Sequence, residues 1–361
     1  MALLIPNYNG IHRLVRAVKD NDDYNNTDDC IVIENDKITI FPEQSVFPLD
    51  INGTDFCYLD TGDIIEITKS GRCFRRFEMA EKDATIYMGG QCNSNCVMCP
   101  SFDRERQEPP EDEWYIRKFI ELLPPDLPNY VVTGGEPTMQ LDMFFEAMGM
   151  LAERLPKAEA LLLTNGRSMS SDSLLNKLIQ KCPPFLTAAI PIHGSNSIIH
   201  DKITQAPGSY EQTIHGIRNL LNKHIAVEIR IVVTKINKDD IEHIADLICC
   251  KFPSVLRVNF ISLEVRGNCL INKNNVYVSP KESFEHSRIA IQKLLRNGID
   301  VGLYNYPLCN VDPGYWFLCK KSISPNKVRY PEKCDICSLK EKCGGMFITT
   351  MKAAKPEIFP M

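Results

Sequence analysis

The sequence predicts an α/β fold with parallel strands, preceded by a small β-rich module and followed by a cysteine-rich one. Three observations carry this. From about residue 83, short apolar and β-branched runs alternate with amphipathic helical segments, six times over. Strands that alternate with helices pair in parallel through right-handed crossovers. Residues 1–82 read instead as hairpins, and residues 306–361 hold a second group of cysteines. The expected division is therefore 1–82, 83–305 and 306–361.

A chain of 361 residues exceeds one ordinary core, so two or three domains are expected. The composition, 44% apolar and 24% charged, is that of a globular protein. A net charge of −5 supplies no basic field for nucleic acid. No apolar run approaches the ~18 residues of a membrane span, and the first residues lack the basic and apolar regions of a signal peptide. Fifteen cysteines form an odd set, and eight lie in or beside metal-ligand spacings. A reducing cytoplasm, where thiols stay free, is the expected compartment.

In the first module, Ile31–Ile33 and Ile38–Ile40 flank Glu34-Asn35-Asp36-Lys37 as one hairpin. Ile64–Ile67, a Ser70-Gly71 turn and Cys73–Phe77 make a second. Lys19–Asp29 reads as a solvated acidic loop, and Cys30, Cys57 and Cys73 as buried apolar residues. The module suits either peptide docking along a sheet edge or a cap on the next domain.

The strands of the second module are Ala84–Met88, Tyr130–Val132, Ala160–Leu163, Phe185–Ile192, Val227–Thr234 and Leu256–Leu263. Helices follow at Trp114–Leu123, Leu141–Leu155, Ser171–Cys182, Tyr210–His224, Ile241–Phe252 and Ser279–Asn297. A loop is expected between Gly194 and Tyr210. Six such units can form a doubly wound sheet or a partial barrel. In either, the working site lies at the C-terminal strand ends. Cys92–Cys99 follows the first strand, Gly134-Gly135-Glu136 the second, Asn165 the third and His193 the fourth.

Cys92, Cys96 and Cys99 are spaced CxxxCxxC, tight enough to wrap one soft metal centre. A closed structural site wants four ligands, and three would leave one iron of a 4Fe–4S cluster open. The plainer alternative is a zinc knuckle or a set of buried thiols. This loop resembles the signature of radical S-adenosylmethionine (SAM) enzymes. About forty residues on, Thr133-Gly134-Gly135-Glu136-Pro137-Thr138 resembles that family's GGEP segment.

The resemblance implies a partial (β/α)6 TIM-like barrel. It implies SAM chelated by the open iron, its reductive cleavage, and hydrogen abstraction by the resulting 5′-deoxyadenosyl radical. Gly134, Gly135, Glu136 and Pro137 would then lie at the SAM amino group, with Asn165 beside the cofactor and Leu263, before Glu264, where family members pack the adenine. Met98 stands where relatives often carry an adenine-stacking aromatic. Arg230 shares a strand face with Glu228 and suits either the SAM carboxylate or an ion pair with Glu228. His193 reads as a structural hydrogen-bonding residue ahead of a base. Glu264, Asp201 and His193 are proton donors or acceptors by position alone.

Cys334, Cys337 and Cys343 form CxxCx5C, with Cys309 and Cys319 upstream. This resembles the auxiliary-cluster module of peptide-modifying radical SAM enzymes. One auxiliary 4Fe–4S cluster is implied, because Phe347 stands where a longer module has a further cysteine. Cys309 precedes Cys319 as fourth ligand; four thiolates would equally suit zinc. Leu263-Glu264-Val265-Arg266-Gly267, Lys321-Ser322-Ile323-Ser324 and CNSNCVMC resemble segments of the His-Xaa-Ser system radical SAM maturases. That subfamily implies a precursor-peptide substrate, an electron donor and a second radical SAM protein as partner. The rival readings are a radical SAM enzyme for a small molecule or nucleotide, and a catalytically silent cluster-binding partner.

Overall fold

The computed structural model describes residues 3–5, 8, 10–18, 30–34, 37–41, 43–48, 59–108 and 111–361. Its first sheet comprises β1 (Leu3–Leu4), β2 (Arg13–Val18), β3 (Cys30–Glu34), β4 (Lys37–Ile40), β5 (Ser45–Pro48), β6 (Ile64–Ile67) and β7 (Arg72–Phe77). The strand order is β1-β7-β6-β2-β3-β4-β5. Both expected hairpins form, β3 antiparallel to β4 and β6 to β7. Gly71 turns the second at φ +78°, a conformation glycine adopts without cost. Cys30 and Cys73 are buried, and burial pushes the Cys73 thiol up to about 12. The acidic segment 19–29, the turn residues Asn35 and Asp36, and Cys57 lie outside the described residues.

The second sheet comprises β8 (Asp83–Tyr87), β9 (Asn129–Thr133), β10 (Glu159–Leu163), β11 (Leu186–Pro191), β12 (Ala226–Val232), β13 (Arg257–Ile261), β14 (Asp300–Tyr304) and β15 (Cys319–Lys320). These strands sit side by side in chain order, every neighbouring pair parallel. A doubly wound sheet reverses its strand order at a switch point. No reversal occurs here, and the sheet curls into a partial barrel. It also runs past the six expected strands into β14 and β15. Gly302 inside β14 and the lack of a following long helix hide that seventh strand from a reading based on strand–helix repeats.

Helices α2 (Glu113–Leu122), α3 (Leu141–Arg154), α4 (Asp172–Lys181), α6 (Ser209–Asn222), α7 (Ile241–Lys251) and α10 (Pro280–Arg296) fill the crossovers. Shorter helices lie in the loops: α1 (Asp103–Gln107), α5 (Ser197–Thr204), α8 (Gly267–Ile271) and α9 (Lys273–Val276). Local chemistry fixes their ends. The Asp112 side chain accepts from the Trp114 N–H to start α2, which stops short of Pro124-Pro125. Ser279 accepts from the Glu282 N–H at 3.1 Å to start α10, with Pro280 in the first turn.

The period-2 alternation separates outside from inside. Ala84, Ile86, Tyr130, Val132, Ala160 and Leu162 are buried against the helices. Thr85, Val131, Leu161 and Thr187 lie in register on the opposite face and stay half-buried or exposed. The core also runs beneath the first sheet, since Leu14, Ile64 and Phe77 join it. Arg16 donates to the Leu122 carbonyl at 3.0 Å, tying that sheet to the end of α2. A last small sheet pairs β16 (Val328–Arg329) with β17 (Met346–Phe347), followed by α11 (Ile348–Ala354). Among the described residues no helix is long and apolar enough to cross a membrane.

Candidate active site

The cysteine loop, residues 89–100, leaves the C-terminal end of β8 and is stitched down along its length. The Asn95 and Val97 N–H groups each donate at 2.9 Å, to the carbonyls of Thr204 and Ile203 at the end of α5. The Cys269 N–H donates to the Cys99 carbonyl at 3.3 Å. Asn268 donates to the Asn95 side chain and the Cys96 carbonyl, and Asn272 to the Val97 carbonyl. Arg266 donates to the Pro100 carbonyl and pairs with Glu105. Thus α5, read from sequence as loop, is the platform under the cysteines. Its start is set by Asn196, whose side chain accepts from the Ile199 N–H at 3.2 Å.

Cys92, Cys96 and Cys99 come together within this loop. Burial pushes the Cys96 thiol up to about 12 and raises that of Cys92, and the neighbouring thiols push the same way. The Ser94 N–H points at the Cys92 sulfur, 3.4 Å away. Among the described residues no three His, Cys, Asp or Glu side chains are grouped so as to hold a single metal ion. The donor set is soft, compact and short of a fourth protein ligand, which fits a 4Fe–4S cluster with one open iron.

The GGE segment packs directly on the loop's root. The Gly135 N–H donates to the Gly89 carbonyl at 2.9 Å, and the Glu136 N–H to Gln91 at 2.8 Å. A Cβ on Gly134 would meet the Gly89 carbonyl oxygen at 2.5 Å; one on Gly135 would meet those of Gly90 and Gln91 at 2.1 and 2.4 Å. The glycines therefore serve a backbone-to-backbone approach between the first two strand ends. Pro137 is buried and opens a short 3-10 turn.

Glu136 is 2% exposed, and its carboxylate is saturated by the protein. It accepts from Thr138 Oγ at 2.7 Å and N at 3.2 Å, from Thr164 Oγ at 2.8 Å and from the Asn165 N–H at 2.7 Å. It is a strut from the end of β9 to the end of β10. Asn165 extends the strut to the cysteines: its Nδ2 donates to Asn93 at 2.6 Å, and its Oδ1 accepts from the Arg167 N–H. Arg167 in turn holds the Asn93 carbonyl and Ser94 Oγ.

The remaining candidates fall into different settings. Arg230 Nε donates to Glu228 Oε1 at 2.7 Å, the ion pair weighed against the SAM carboxylate, and its guanidinium lies 6.0 Å from the Tyr304 ring. Met98 and Leu263 are both buried in an apolar cluster with Ile203, Val265, Cys269 and Val276. His193 is buried at the end of β11, its ring 5.4 Å from that of His200 and its N–H donating to His200 Nδ1. Burial holds its imidazole well below the usual range, so it stays neutral. Asp201 accepts from Gly208, Ser209 and Tyr210 at the start of α6. Burial works against its charge, but those bonds outweigh it and keep the carboxyl below the usual range. Glu264 is half-buried and accepts from Thr349 Oγ at 3.2 Å.

In the last module, Cys309, Cys334, Cys337 and Cys343 line one cavity. Cys319 stands apart, on β15 and packed against the barrel core. Burial raises the Cys309 and Cys334 thiols, and the other cysteines of the cavity add to it. Sequence reasoning missed Arg167, Arg266, Asn268 and Asn272, because each works through partners that lie far away in the sequence.

The Radical SAM superfamily matches residues 86–248. An AdoMet-dependent heme synthase of Oleidesulfovibrio alaskensis is 25% identical over 151 residues, 40% of this chain and 37% of that protein. Streptococcus suis SuiB is similar in structure over 67% of this chain and 53% of its own, with TM-score 0.50 and 16% identity. Native anSMEcpe with bound AdoMet and Cp18Cys peptide aligns over 61% of this chain and 62% of its own, at TM-score 0.48 and 17% identity. The chain thus spans little more than a third of the heme synthase and about half of SuiB. The radical SAM family uses a 4Fe–4S cluster and S-adenosylmethionine. The cysteine loop and the GGE strut both lie inside residues 86–248, the stretch that matches the Radical SAM superfamily.

Proposed function

We propose that the chain is a radical SAM enzyme that modifies a ribosomally made peptide by hydrogen abstraction from a side chain or backbone. The observation that carries the reading is the braced three-thiol loop at the end of β8, locked to the GGE backbone. Cys92, Cys96 and Cys99 hold the cluster. When bound, cluster and SAM supply reductive cleavage and a hydrogen-abstracting radical. The chain supplies orientation and shielding from water. The backbone carbonyls of Gly134 and Gly135, beside Glu136, Pro137 and Asn165, face the SAM amino group, the amides of Gly135 and Glu136 being taken up by Gly89 and Gln91. Arg230, leaving Glu228, meets its carboxylate, and Leu263 with Met98 backs the adenine.

The peptide class rests on the likeness of residues 263–267, 321–324 and the CxxCx5CGG block to His-Xaa-Ser maturases. The open inner face of the barrel suits an extended chain. Cys309, Cys334, Cys337 and Cys343 hold one auxiliary 4Fe–4S cluster. A cytoplasmic electron donor and a second radical SAM protein complete the system.

The test is anaerobic reconstitution with iron, sulfide, dithionite and SAM, with and without a His-Xaa-Ser precursor peptide. Wild type should form 5′-deoxyadenosine and change the peptide's mass, and the Cys92/Cys96/Cys99→Ala variant should do neither. Deoxyadenosine without peptide binding would move the substrate to a small molecule or nucleotide. A fully loaded protein that cleaves no SAM, with peptide and partner supplied, would leave a silent cluster-binding partner.

A further inference from the structure

The cavity of the four C-terminal cysteines has walls of two origins. Three thiols belong to the cysteine-rich segment itself, and Cys309 follows β14. The remaining side is closed by the chain's last residues, Ile358–Met361. That segment is fastened at several points. Asn310 Nδ2 donates to the Glu357 carbonyl at 3.2 Å. The Ser338 N–H and hydroxyl both donate to the Met361 carbonyl at 2.8 Å. Lys281 Nζ lies 5.4 Å from the Phe359 ring.

Two of its amides also face sulfur. The Met361 N–H lies 3.5 Å from Cys337 Sγ, and the Phe359 N–H donates to the Cys309 thiol. On the inner side, the Leu308 and Gly345 N–H groups both lie 3.4 Å from Cys343 Sγ. Such donors favour the charged thiolate over the thiol and stabilise sulfurs bound to iron.

We propose that residues 357–361 are the lid of the auxiliary centre. They close it over four protein thiolates and donate hydrogen bonds to two of them. No iron is left open to a substrate atom, in contrast to the three-thiol loop. The lid rests on the auxiliary-cluster reading given above, and the test separates the two.

The full chain carrying Cys92/Cys96/Cys99→Ala is reconstituted, so that all its iron belongs to the C-terminal site. About four irons per chain are expected, one 4Fe–4S cluster. Little or no iron would reject the cluster reading itself, and the lid with it. With iron present, deletion of 357–361 should speed its release to a ferrous chelator by about 10-fold, as loss of groups supporting metal ligands commonly does. Phe359→Ala, which keeps the backbone donors, covers the case in which the deletion does not fold, and should speed release in the same direction. Imidazole should leave the reduced cluster's EPR signal unchanged in the parent chain and alter it once the lid is gone. Equal release rates, or an imidazole-sensitive signal in the parent, would overturn the lid.

Discussion

Glu136→Gln tests whether the GGE carboxylate is a strut or a cofactor ligand. The side chain keeps its size, but one acceptor oxygen becomes an NH2. With the amide oxygen in the place of Oε1, Thr138 keeps its partner and the Asn165 N–H, now 2.7 Å from a carboxylate oxygen, faces a donor. With the amide reversed, the Thr138 pair faces it instead. A hydrogen bond to a charged group contributes about 1.5–3 kcal/mol, and an orphaned buried donor costs about 1–3 more. Thr164 Oγ can rotate to accept from the new NH2 and offset part of this. The net loss should be about 3 kcal/mol.

Urea unfolding followed by circular dichroism would read that loss as a lower midpoint at unchanged slope. Iron loading of the three-thiol loop should fall with it, because Asn165 and Arg167 then lose their anchor on Asn93 and Ser94. A stability within about 0.5 kcal/mol of wild type would refute the strut. If SAM half-saturation alone rose tenfold, the carboxylate would be facing the cofactor.

Three further outcomes follow from the geometry. Gly135→Ala places a methyl 2.1 Å from the Gly90 carbonyl and 2.4 Å from that of Gln91. Both are backbone and cannot rotate away, so thermal melting should show a loss of about 3 kcal/mol or no folded protein. His200, 2% exposed, has its imidazole lowered from 6.5 to about 4, chiefly by burial. Its folded value lies below its unfolded one, so its contribution is whole above pH 6.5 and is lost as pH falls toward 4. The span of about 2.5 units corresponds to about 3 kcal/mol, and His200→Gln should flatten that limb of a stability-versus-pH curve. Finally, Cys309→Ser should cut reconstituted iron from about eight to about four per chain, while Cys319→Ser should leave it near eight, as measured by ferrozine.

Much of the architecture is legible in the sequence because it rests on local periodicity. Leu141, Phe144, Phe145, Met148 and Leu151 announce α3 at helical spacing, and the apolar run Ala160–Leu163 of β10 ends where Thr164-Asn165-Gly166 breaks it. The α5 platform escapes a sequence reading for a physical reason. It is eight residues long, carries the β-branched pair Ile198-Ile199, and leaves Ile198 81% exposed, so no apolar stripe marks it. Asn196 is the available signal. The cysteines and the GGE segment are legible because their spacing is itself the chemistry. The braces are not, because Asn268 and Asn272 reach the loop across more than 170 residues of sequence. Consecutive glycines at 134 and 135 suggest room for a ligand, whereas the structure fills that room with the backbone of residues 89–91.

The barrel sheet ends at β8 on one side and at the two-residue β15 on the other, and among the described residues these edges do not pair. In a closed eight-stranded barrel the inward side chains fill the centre in layers and carry much of the stability. Here, along β8, β9 and β10, the outward face alone is sealed, against the helices, so folding and chemistry are assigned to opposite sides of those strands. By contrast, Ala189, Glu228 and Asn259 are buried on the inward face of β11, β12 and β13. Substitutions at Val131, Leu161 or Thr187 can reshape the interior without opening a cavity in the core. A scaffold so divided can change what it accepts while keeping the melting temperature that its outer face sets.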